Sequence, residues 1–293
     1  MIFLITPIES FKYFGSNYFI KREDLFGGLF NGIKQRKIQS ILAFLKKTRP
    51  KQVALKGSVY SNFLVAIASE LRKDKIPFAI YTNRYHKEVK PKGNFFFLSL
   101  FLSPSMIHPI ETLKEDDKDL LIIEEGGDIL PGYLGLLSLG EEILTQNHAL
   151  NLQLKNIWID AGTGASAACL YYTLLQAKSP ICLHIVSMKE NLEAFHQKVD
   201  EIFFHLNAHF MTSIKNEKSY CFYRPKTGKA FGSTNRYIFE EIKELAQHTG
   251  ILFDPIYSIK MISTMKEHLS LEPTLLIHSG GTLSLSGFQD NLN

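Results

Sequence analysis

Short apolar runs alternate along the chain with longer segments in which apolar residues recur at helical spacing. The short runs predict strands at 18–20, 52–55, 78–81, 120–123 and 156–161. The longer segments predict a helix that begins at Lys34 and helices at 63–72, 134–146 and 165–176. Strands that alternate with helices in this way form parallel sheets with helices on both faces. The pattern therefore predicts an α/β fold built from open, mostly parallel, twisted sheets.

The size and charge of the chain narrow the class of protein. It has 293 residues, of which 45% are hydrophobic, so it can bury one large core or two moderate ones. Two domains are the expectation at this length. The net charge of +4 arises from mixed signs, and even the biased stretch 111–119 alternates acids with lysines. Neither feature supports binding to nucleic acid.

The cysteines and the apolar segments indicate where the protein works. Cys169, Cys182 and Cys221 are widely spaced, and none has a Cys or His partner at the spacing of metal ligands. We expect buried thiols in a reducing compartment and no metal site. The apolar segments 1–5 and 95–102 are too short to span a bilayer, and the first lacks a basic start and a cleavage site. A soluble, cytoplasmic protein with no membrane partner is the expectation.

Lys34 stands where a glycine-rich stretch gives way to a helical pattern, in the run Asn31-Gly32-Ile33-Lys34-Gln35-Arg36-Lys37. Lys34, Arg36 and Lys37 would crowd the first turn of the helix, where the positive end of the helix dipole disfavours cations. The dipole and the neighbouring cations both push the pKa of Lys34 down, which makes a free amine available for Schiff-base chemistry. The alternative is a solvated basic helix start, which is common on protein surfaces.

Two further segments join a predicted strand to a predicted helix. In 56–62, Ser61 and Asn62 are good N-cap residues, and capping alone would explain them. The turn Asp160-Ala161-Gly162-Thr163-Gly164-Ala165-Ser166 follows an apolar strand and opens an apolar helix. Small residues at a helix N-terminus leave backbone N–H groups open to a phosphate. An ordinary tight turn would have the same composition.

Three more segments combine polar residues with turn formers. They are Glu124-Glu125-Gly126-Gly127, Asp254-Pro255-Ile256-Tyr257-Ser258-Ile259-Lys260 and His278-Ser279-Gly280-Gly281. Taken alone, the last two are explained by a strand-entry turn and a loop. Their order along the chain is more informative than any one of them.

Together with Lys21-Arg22-Glu23-Asp24, these segments resemble, in the same order, the motifs of the 1-aminocyclopropane-1-carboxylate deaminase / D-cysteine desulfhydrase family. Members of that family are pyridoxal-phosphate enzymes of the tryptophan-synthase-β fold type, fold type II. The resemblance implies two α/β domains with the cofactor between them. It puts the small domain at 47–148 and the large, cofactor-binding domain at 1–46 plus 149–293. We expect a homodimer that acts on a small amino acid.

The resemblance also implies a role for each segment. Lys34 matches the lysine that carries pyridoxal 5'-phosphate, and Asn62 matches the residue that hydrogen-bonds the phenolic oxygen of the cofactor. Ser61 would lie beside the substrate carboxylate, and Tyr257 would stack on or near the cofactor ring. The phosphate would be held by Gly162, Thr163, Gly164, Ala165 and Ser166. On the substrate side, Tyr60 and Phe63 replace a Gln and a His of the family motif.

The expected reaction follows from Ser258 and Ser279, which match positions near the pyridine nitrogen. The ring-opening deaminases have a carboxylate at the first of them. A neutral hydroxyl cannot hold a proton on that nitrogen, so the weaker electron sink favours quick expulsion of a β-leaving group. We expect β-elimination of the D-cysteine desulfhydrase type, which yields a keto acid, ammonia and sulfide, with Lys34 as anchor and base and with Ser61 and Tyr257 as proton carriers. The alternatives are a 1-aminocyclopropane-1-carboxylate deaminase-type enzyme and a catalytically divergent protein that binds the cofactor.

Overall fold

A computed structural model describes residues 5–13, 15–83, 91–228 and 231–291, so most of the apolar N-terminal segment lies outside the described residues. The strands are β1 (Ile8–Tyr13), β2 (Ser16–Arg22), β3 (Gln52–Lys56), β4 (Phe78–Thr82), β5 (Ile107–Pro109), β6 (Leu120–Ile123), β7 (Asn156–Ala161), β8 (Cys182–Ser187), β9 (Cys221–Tyr223) and β10 (Thr274–His278). The helices are α1 (Lys34–Thr48), α2 (Asn62–Lys73), α3 (Asn94–Ser99), α4 (Leu130–Ala149), α5 (Ala165–Gln176), α6 (Leu192–Phe210), α7 (Arg236–Thr249) and α8 (Ser258–Met265). Within the described ranges, no helix is long and apolar enough to cross a membrane.

The strands form two sheets. The larger sheet has the order β1-β2-β10-β7-β8-β9, and its strands are parallel except for β1, which pairs antiparallel with β2. The smaller sheet has the order β5-β4-β3-β6 and is parallel throughout. Every strand and helix predicted from the sequence is present. The expected α/β fold with two open, mostly parallel sheets is confirmed.

Strand β7 explains why the apolar pattern was informative. All its residues are buried, because alternate side chains enter two different cores. Ile157 and Ile159 pack with α4, α5 and α6, whereas Trp158 packs with α7 and α8. A parallel strand that is covered on both faces is a continuous apolar run.

The smaller sheet has a core of its own, which it shares with α1, α2 and α3. Helix α4 instead packs in the core of the larger sheet. The family resemblance puts the small domain at 47–148 and the large domain at 1–46 plus 149–293, and these limits stay a prediction.

A buried network of ion pairs fixes α1 against α4. Arg36 is 1% exposed and donates hydrogen bonds to both carboxylate oxygens of Glu23 at 2.7 Å and to Glu142 at 2.9 Å. Lys21 forms a further ion pair with Glu142. Buried charges are tolerated when they are paired and hydrogen-bonded. The run Lys21-Arg22-Glu23-Asp24 therefore has a structural role, because it positions the start of α1.

The prediction of buried, isolated thiols is confirmed for one cysteine and wrong for two. Cys169 in α5 is fully buried. Cys182 on β8 and Cys221 on β9 are half-buried, and their Sγ atoms lie 3.8 Å apart. These residues are 39 positions apart in the sequence, and the parallel pairing of β8 with β9 brings them together.

Candidate active site

A cavity of about 560 Å³ lies at the carboxyl ends of strands from both sheets. Ligands of open α/β sheets bind at this edge. Its wall includes all but one of the site residues predicted from the sequence: Lys34, Ser61, Asn62, Gly162, Thr163, Gly164, Ala165, Ser166, Tyr257 and Ser279. The exception is Ser258.

Lys34 is the first residue of α1, and its Nζ atom lies 5.2 Å from the centroid of the Tyr257 ring. The pKa of Lys34 is lowered, as predicted, but the main cause is burial rather than the neighbouring cations. The charge of Lys37 lowers this pKa further, whereas the carboxylates of Asp160 and Asp254 oppose the shift. Burial disfavours the charged ammonium, so the site favours a neutral amine at Lys34.

The other cations of the first turn are engaged elsewhere. Arg36 points into the buried network with Glu23. Lys37 donates to Asp128 at 2.7 Å and to the carbonyl of Gly126 at 2.8 Å. The prediction that three cations crowd one turn is therefore correct for the sequence positions, but their head groups do not share one location.

The turn after β10 brings α1 and α2 together. Gly32 has a φ of +115°, and a Cβ atom there would lie 2.3 Å from the carbonyl oxygen of Ser279. A Cβ atom at Gly281 would lie 2.6 Å from Nδ2 of Asn62. Only glycine allows both approaches. The close packing places Lys34, Asn62 and Ser279 in one wall of the cavity.

Ser61 and Asn62 begin α2. Ser61 is the N-cap, as its residue type allowed, and its hydroxyl oxygen accepts two backbone N–H groups of the first turn. Oδ1 of Asn62 accepts a hydrogen bond from Nδ2 of Asn94, which also donates to the carbonyl of Tyr60 at 3.0 Å. This hydrogen bond occupies Oδ1 of Asn62 and leaves its Nδ2 as the atom that can donate to a ligand. Asn94 was not predicted as a site residue, because it begins α3, which has no helical periodicity.

The turn after β7 has the geometry of an anion site. Gly164 has a φ of +87° and precedes α5, whose first N–H groups have no partners within the helix. A Cβ atom at Gly162 would lie 3.1 Å from the Tyr257 ring, so glycine keeps this side of the cavity open. A Cβ atom at Gly164 would instead meet Phe195 in the core at 3.1 Å. A side chain at Gly164 would thus act through backbone strain and core packing, not by covering the amide groups.

Asp254 organises the segment that carries Tyr257. Its carboxylate accepts the backbone N–H groups of Ile256, Tyr257 and Ser258 at 2.8–2.9 Å. The hydroxyl of Ser258 also donates to Asp254, at 2.6 Å, so this fully buried residue does not line the cavity. The family resemblance implies that Ser258 faces the cofactor ring, but in the structure its hydroxyl faces Asp254 instead. Burial and the charges of Asp254 and Asp160 raise the pKa of Tyr257, so its phenol keeps its proton.

Asp160, near the end of β7, was given no role in the sequence motif. Burial and the charge of Asp254 raise its pKa to about 7, against the opposing effects of a hydrogen bond from Ser279 and the charge of Lys34. The structure therefore places a carboxyl group beside Ser279, where a neutral hydroxyl alone was expected. A carboxylate that directly follows an apolar strand and precedes a glycine turn was the available signal in the sequence.

Three buried polar atoms of the cavity wall have no hydrogen-bond partner among the described residues. They are Oδ1 of Asp160, Oδ1 of Asn94 and Oγ of Ser284. Buried polar atoms in folded proteins are normally hydrogen-bonded. A bound polar group would satisfy them. The wall also offers an amine, an amide donor, an aromatic ring and the start of a helix, which together fit pyridoxal 5'-phosphate.

This architecture is that of the pyridoxal-phosphate enzymes of fold type II. The chain is similar to the crystal structure of an ACC deaminase homologue, with a TM-score of 0.84 and 20% identity over 99% of this chain and 93% of that one. It is also similar to a pyridoxal 5'-phosphate-dependent aspartate racemase, with a TM-score of 0.65 and 14% identity over 95% of this chain and 90% of the racemase.

Curated relatives point to one group within that class. The chain is 23% identical to the D-cysteine desulfhydrase of Serratia proteamaculans, over 97% of this chain and 93% of that protein. It is also 23% identical to a putative 1-aminocyclopropane-1-carboxylate deaminase of Pyrococcus furiosus, over 98% of this chain and 92% of the relative. No protein-family model matches the chain. The resemblance to the 1-aminocyclopropane-1-carboxylate deaminase / D-cysteine desulfhydrase family is confirmed over nearly the full length.

Proposed function

We propose that the chain is a pyridoxal-phosphate-dependent lyase that catalyses β-elimination and deamination of a small amino acid, in the manner of a D-cysteine desulfhydrase. The observation that carries the proposal is the convergence of Lys34, Asn62, Tyr257 and the glycine turn at 162–164 on one cavity. The names of the relatives, D-cysteine desulfhydrase and 1-aminocyclopropane-1-carboxylate deaminase, support it.

Pyridoxal 5'-phosphate, when bound, supplies an electron sink for negative charge at Cα of an amino-acid substrate. Lys34 would hold it covalently through the side-chain amine. The first N–H groups of α5 would bind its phosphate, with the hydroxyl groups of Thr163 and Ser166 as further donors. Asn62 would donate from Nδ2, because Asn94 already occupies its oxygen.

Lys34 is also suited to take up and return the Cα proton. Its lowered pKa makes the neutral amine accessible, and a general base works best when its pKa is near the working pH. Tyr257 has the opposite character, because its raised pKa keeps the phenol protonated beside Lys34. Ser61 accepts two backbone N–H groups, so its own proton remains available to a substrate carboxylate. We assign Lys34 as base and Tyr257 and Ser61 as hydrogen-bond donors to the substrate.

A deaminase of the 1-aminocyclopropane-1-carboxylate type is the second candidate, and one observation favours it. Ring opening needs the stronger electron sink, which an acidic group near the pyridine nitrogen provides. Asp160 places a carboxyl group next to Ser279, the residue that the family resemblance puts beside that nitrogen. The two candidates therefore require a direct comparison.

Covalent labelling tests the cofactor assignment. The purified protein is reduced with borohydride, digested and mapped, and the pyridoxyl label should be on Lys34. Lys37 is the internal control, since it lies one helical turn away but is bound to Asp128. A label on Lys37 or Lys260, or no label, would overturn the assignment.

Activity assays then separate the candidates. Sulfide release from D-cysteine and ammonia release from 1-aminocyclopropane-1-carboxylate are measured side by side, with Lys34→Ala as the blank. Faster sulfide release supports the main proposal, and faster ammonia release supports the second. A labelled protein with neither activity would favour a divergent cofactor-binding protein.

A homodimer in the cytoplasm is part of the proposal and stays a prediction. Small amino-acid substrates and a homodimeric state are implied by the family resemblance. Sedimentation equilibrium of the purified protein tests the subunit number, and a monomer at micromolar concentration would contradict it.

A further inference from the structure

We propose that Cys182, His184 and Cys221 bind a zinc ion at the edge of the larger sheet. Each residue brings one ligand atom within 4.8 Å of the others. Cys182 and His184 are two positions apart on β8, and Cys221 on β9 is the direct partner of His184. All three side chains therefore project from the same face of the sheet. The cluster lies near the amino ends of these strands, whereas the cavity lies at the carboxyl ends, so the site is independent of the proposed function.

The distance between the thiols matches a shared metal ion. Two thiolates that each lie 2.3 Å from a tetrahedral zinc are separated by about 3.8 Å. The Sγ atoms of Cys182 and Cys221 are 3.8 Å apart. Two thiolates and one imidazole are ligands that select zinc over the hard cations.

A disulfide fits the register less well. Because His184 is the direct partner of Cys221, Cys182 is a diagonal neighbour of Cys221. Strands in a sheet are about 4.8 Å apart and rise about 3.3 Å per residue, so the Cα atoms of these diagonal neighbours are expected about 8 Å apart. Disulfide-bonded cysteines usually have Cα atoms no more than about 6.8 Å apart. A bond between these thiols would require the edge strand to move, whereas a metal ion bridges the existing gap.

The imidazole of His184 is already oriented as a ligand. Its Nε2 atom lies 3.0 Å from Oδ1 of Asn156, and the amide of Asn156 is oriented by contacts from its Nδ2 to Glu272 and Thr274. A carbonyl oxygen can only accept, so Nε2 carries the proton and Nδ1 carries the lone pair. Metal-binding histidines are usually oriented in this way by a hydrogen bond from the other ring nitrogen.

Nδ1 of His184 is therefore the candidate ligand atom. The hydroxyl of Tyr223 lies 3.2 Å from Nδ1 and is also hydrogen-bonded to Cys221, so it links Nδ1 to one of the thiols and would give up its contact with Nδ1 when the metal binds. Trp158 stacks on one face of the imidazole, with ring centroids 4.5 Å apart, and limits its rotation. Three protein ligands leave a fourth position of a tetrahedral zinc for water or for the Tyr223 oxygen.

Cobalt substitution tests the site. Reduced, metal-free protein is titrated with Co²⁺, and the difference spectrum removes the absorption of any bound cofactor. A thiolate-to-cobalt charge-transfer band should saturate at one Co²⁺ per chain and disappear when Zn²⁺ is added. The band should be absent in Cys182→Ser and Cys221→Ser. Cys169→Ala and, at an exposed histidine, His209→Ala are the thiol and imidazole controls and should retain it.

The positioning role of Asn156 gives a graded readout. Asn156→Ala should keep the band but weaken Zn²⁺ binding roughly 10–100-fold in competition with a chromogenic chelator, because only the orientation of His184 is lost. Circular dichroism checks that each variant is folded. Absence of the band in the wild-type protein overturns the proposal, as does a band that persists in both cysteine variants. A Cys182–Cys221 disulfide in mass spectra of protein purified without reductant, with no metal uptake after reduction, overturns it as well.

Discussion

Replacing Asp160 by asparagine should remove a large part of the pH dependence of stability in the cofactor-free protein. The pKa of this carboxyl is about 7 in the folded protein, against an ordinary value of 3.8. Between these two pH values, the folded protein binds a proton that the unfolded chain has released. The free energy of unfolding contributed by Asp160 therefore falls as the pH rises through this window.

The size of the effect follows from the shift. A difference of one pKa unit corresponds to about 1.36 kcal/mol, so the full shift of Asp160 is worth about 4 kcal/mol. Asp160→Asn keeps the shape of the side chain but cannot ionise. Its stability relative to wild type should therefore rise by about 3 kcal/mol between pH 5 and pH 8.

Urea unfolding of both cofactor-free proteins at several pH values measures this difference, because contributions from other titrating groups cancel. The control is Asp119→Asn, a substitution at a largely exposed carboxylate that pairs with Lys51. Its stability relative to wild type should change by less than about 0.5 kcal/mol over the same range. A difference between wild type and Asp160→Asn that does not change with pH would refute the reasoning, since it would mean that Asp160 ionises as it does in water.

Three further predictions test the site and its supports. Gly162→Val should weaken pyridoxal-phosphate binding by at least tenfold, about 1.4 kcal/mol, in a fluorescence titration, because the new side chain would press on Tyr257. Ser258 faces Asp254, so Ser258→Ala should bind the cofactor nearly as well as wild type. Equal losses of affinity in the two variants would mean that the phosphate binds elsewhere. Asn94→Ala should weaken cofactor binding about tenfold, since Asn62 loses one orienting hydrogen bond. The control Asn17→Ala, at an exposed asparagine, should leave binding unchanged. Normal binding in Asn94→Ala would show that Asn94 does not orient Asn62 for the cofactor. Arg36→Met should lower the free energy of unfolding by about 3–5 kcal/mol in urea, whereas exposed Arg236→Met should change it by less than about 1 kcal/mol; similar values would show that the buried network contributes little.

Local patterns were sufficient for several of the elements that form the cavity. Strand β7 and helix α5 were predicted with their observed limits, because a doubly covered strand is apolar throughout and a glycine turn marks the change of period. The convergence of distant motifs on one cavity was implied by the family resemblance, and the fold gives its physical reason. The carboxyl ends of parallel strands meet at one edge of each sheet, so residues that follow such strands become neighbours.

The features that were missed depend on contacts between distant parts of the chain. Asp254 recruits the hydroxyl of Ser258, so that a residue assigned to the cofactor faces the protein instead. Cys182 meets Cys221 only because β8 and β9 pair in one particular register. The lowered pKa of Lys34 was predicted in direction but attributed to the wrong main cause, since the depth of burial is set by the packed structure and not by the helix start alone.

The carboxyl of Asp160 bears on the choice of reaction. The expectation of a weak electron sink relied on two neutral hydroxyls near the pyridine nitrogen, and that premise has changed for both residues. Ser258 is turned away, and Ser279 is hydrogen-bonded to a carboxyl group whose pKa is about 7. Near neutral pH this group is partly ionised, so the charge beside Ser279 varies across the range in which the enzyme would work. We therefore expect the balance between elimination and ring opening to depend on the ionisation of Asp160, a residue to which the sequence motif assigned no role.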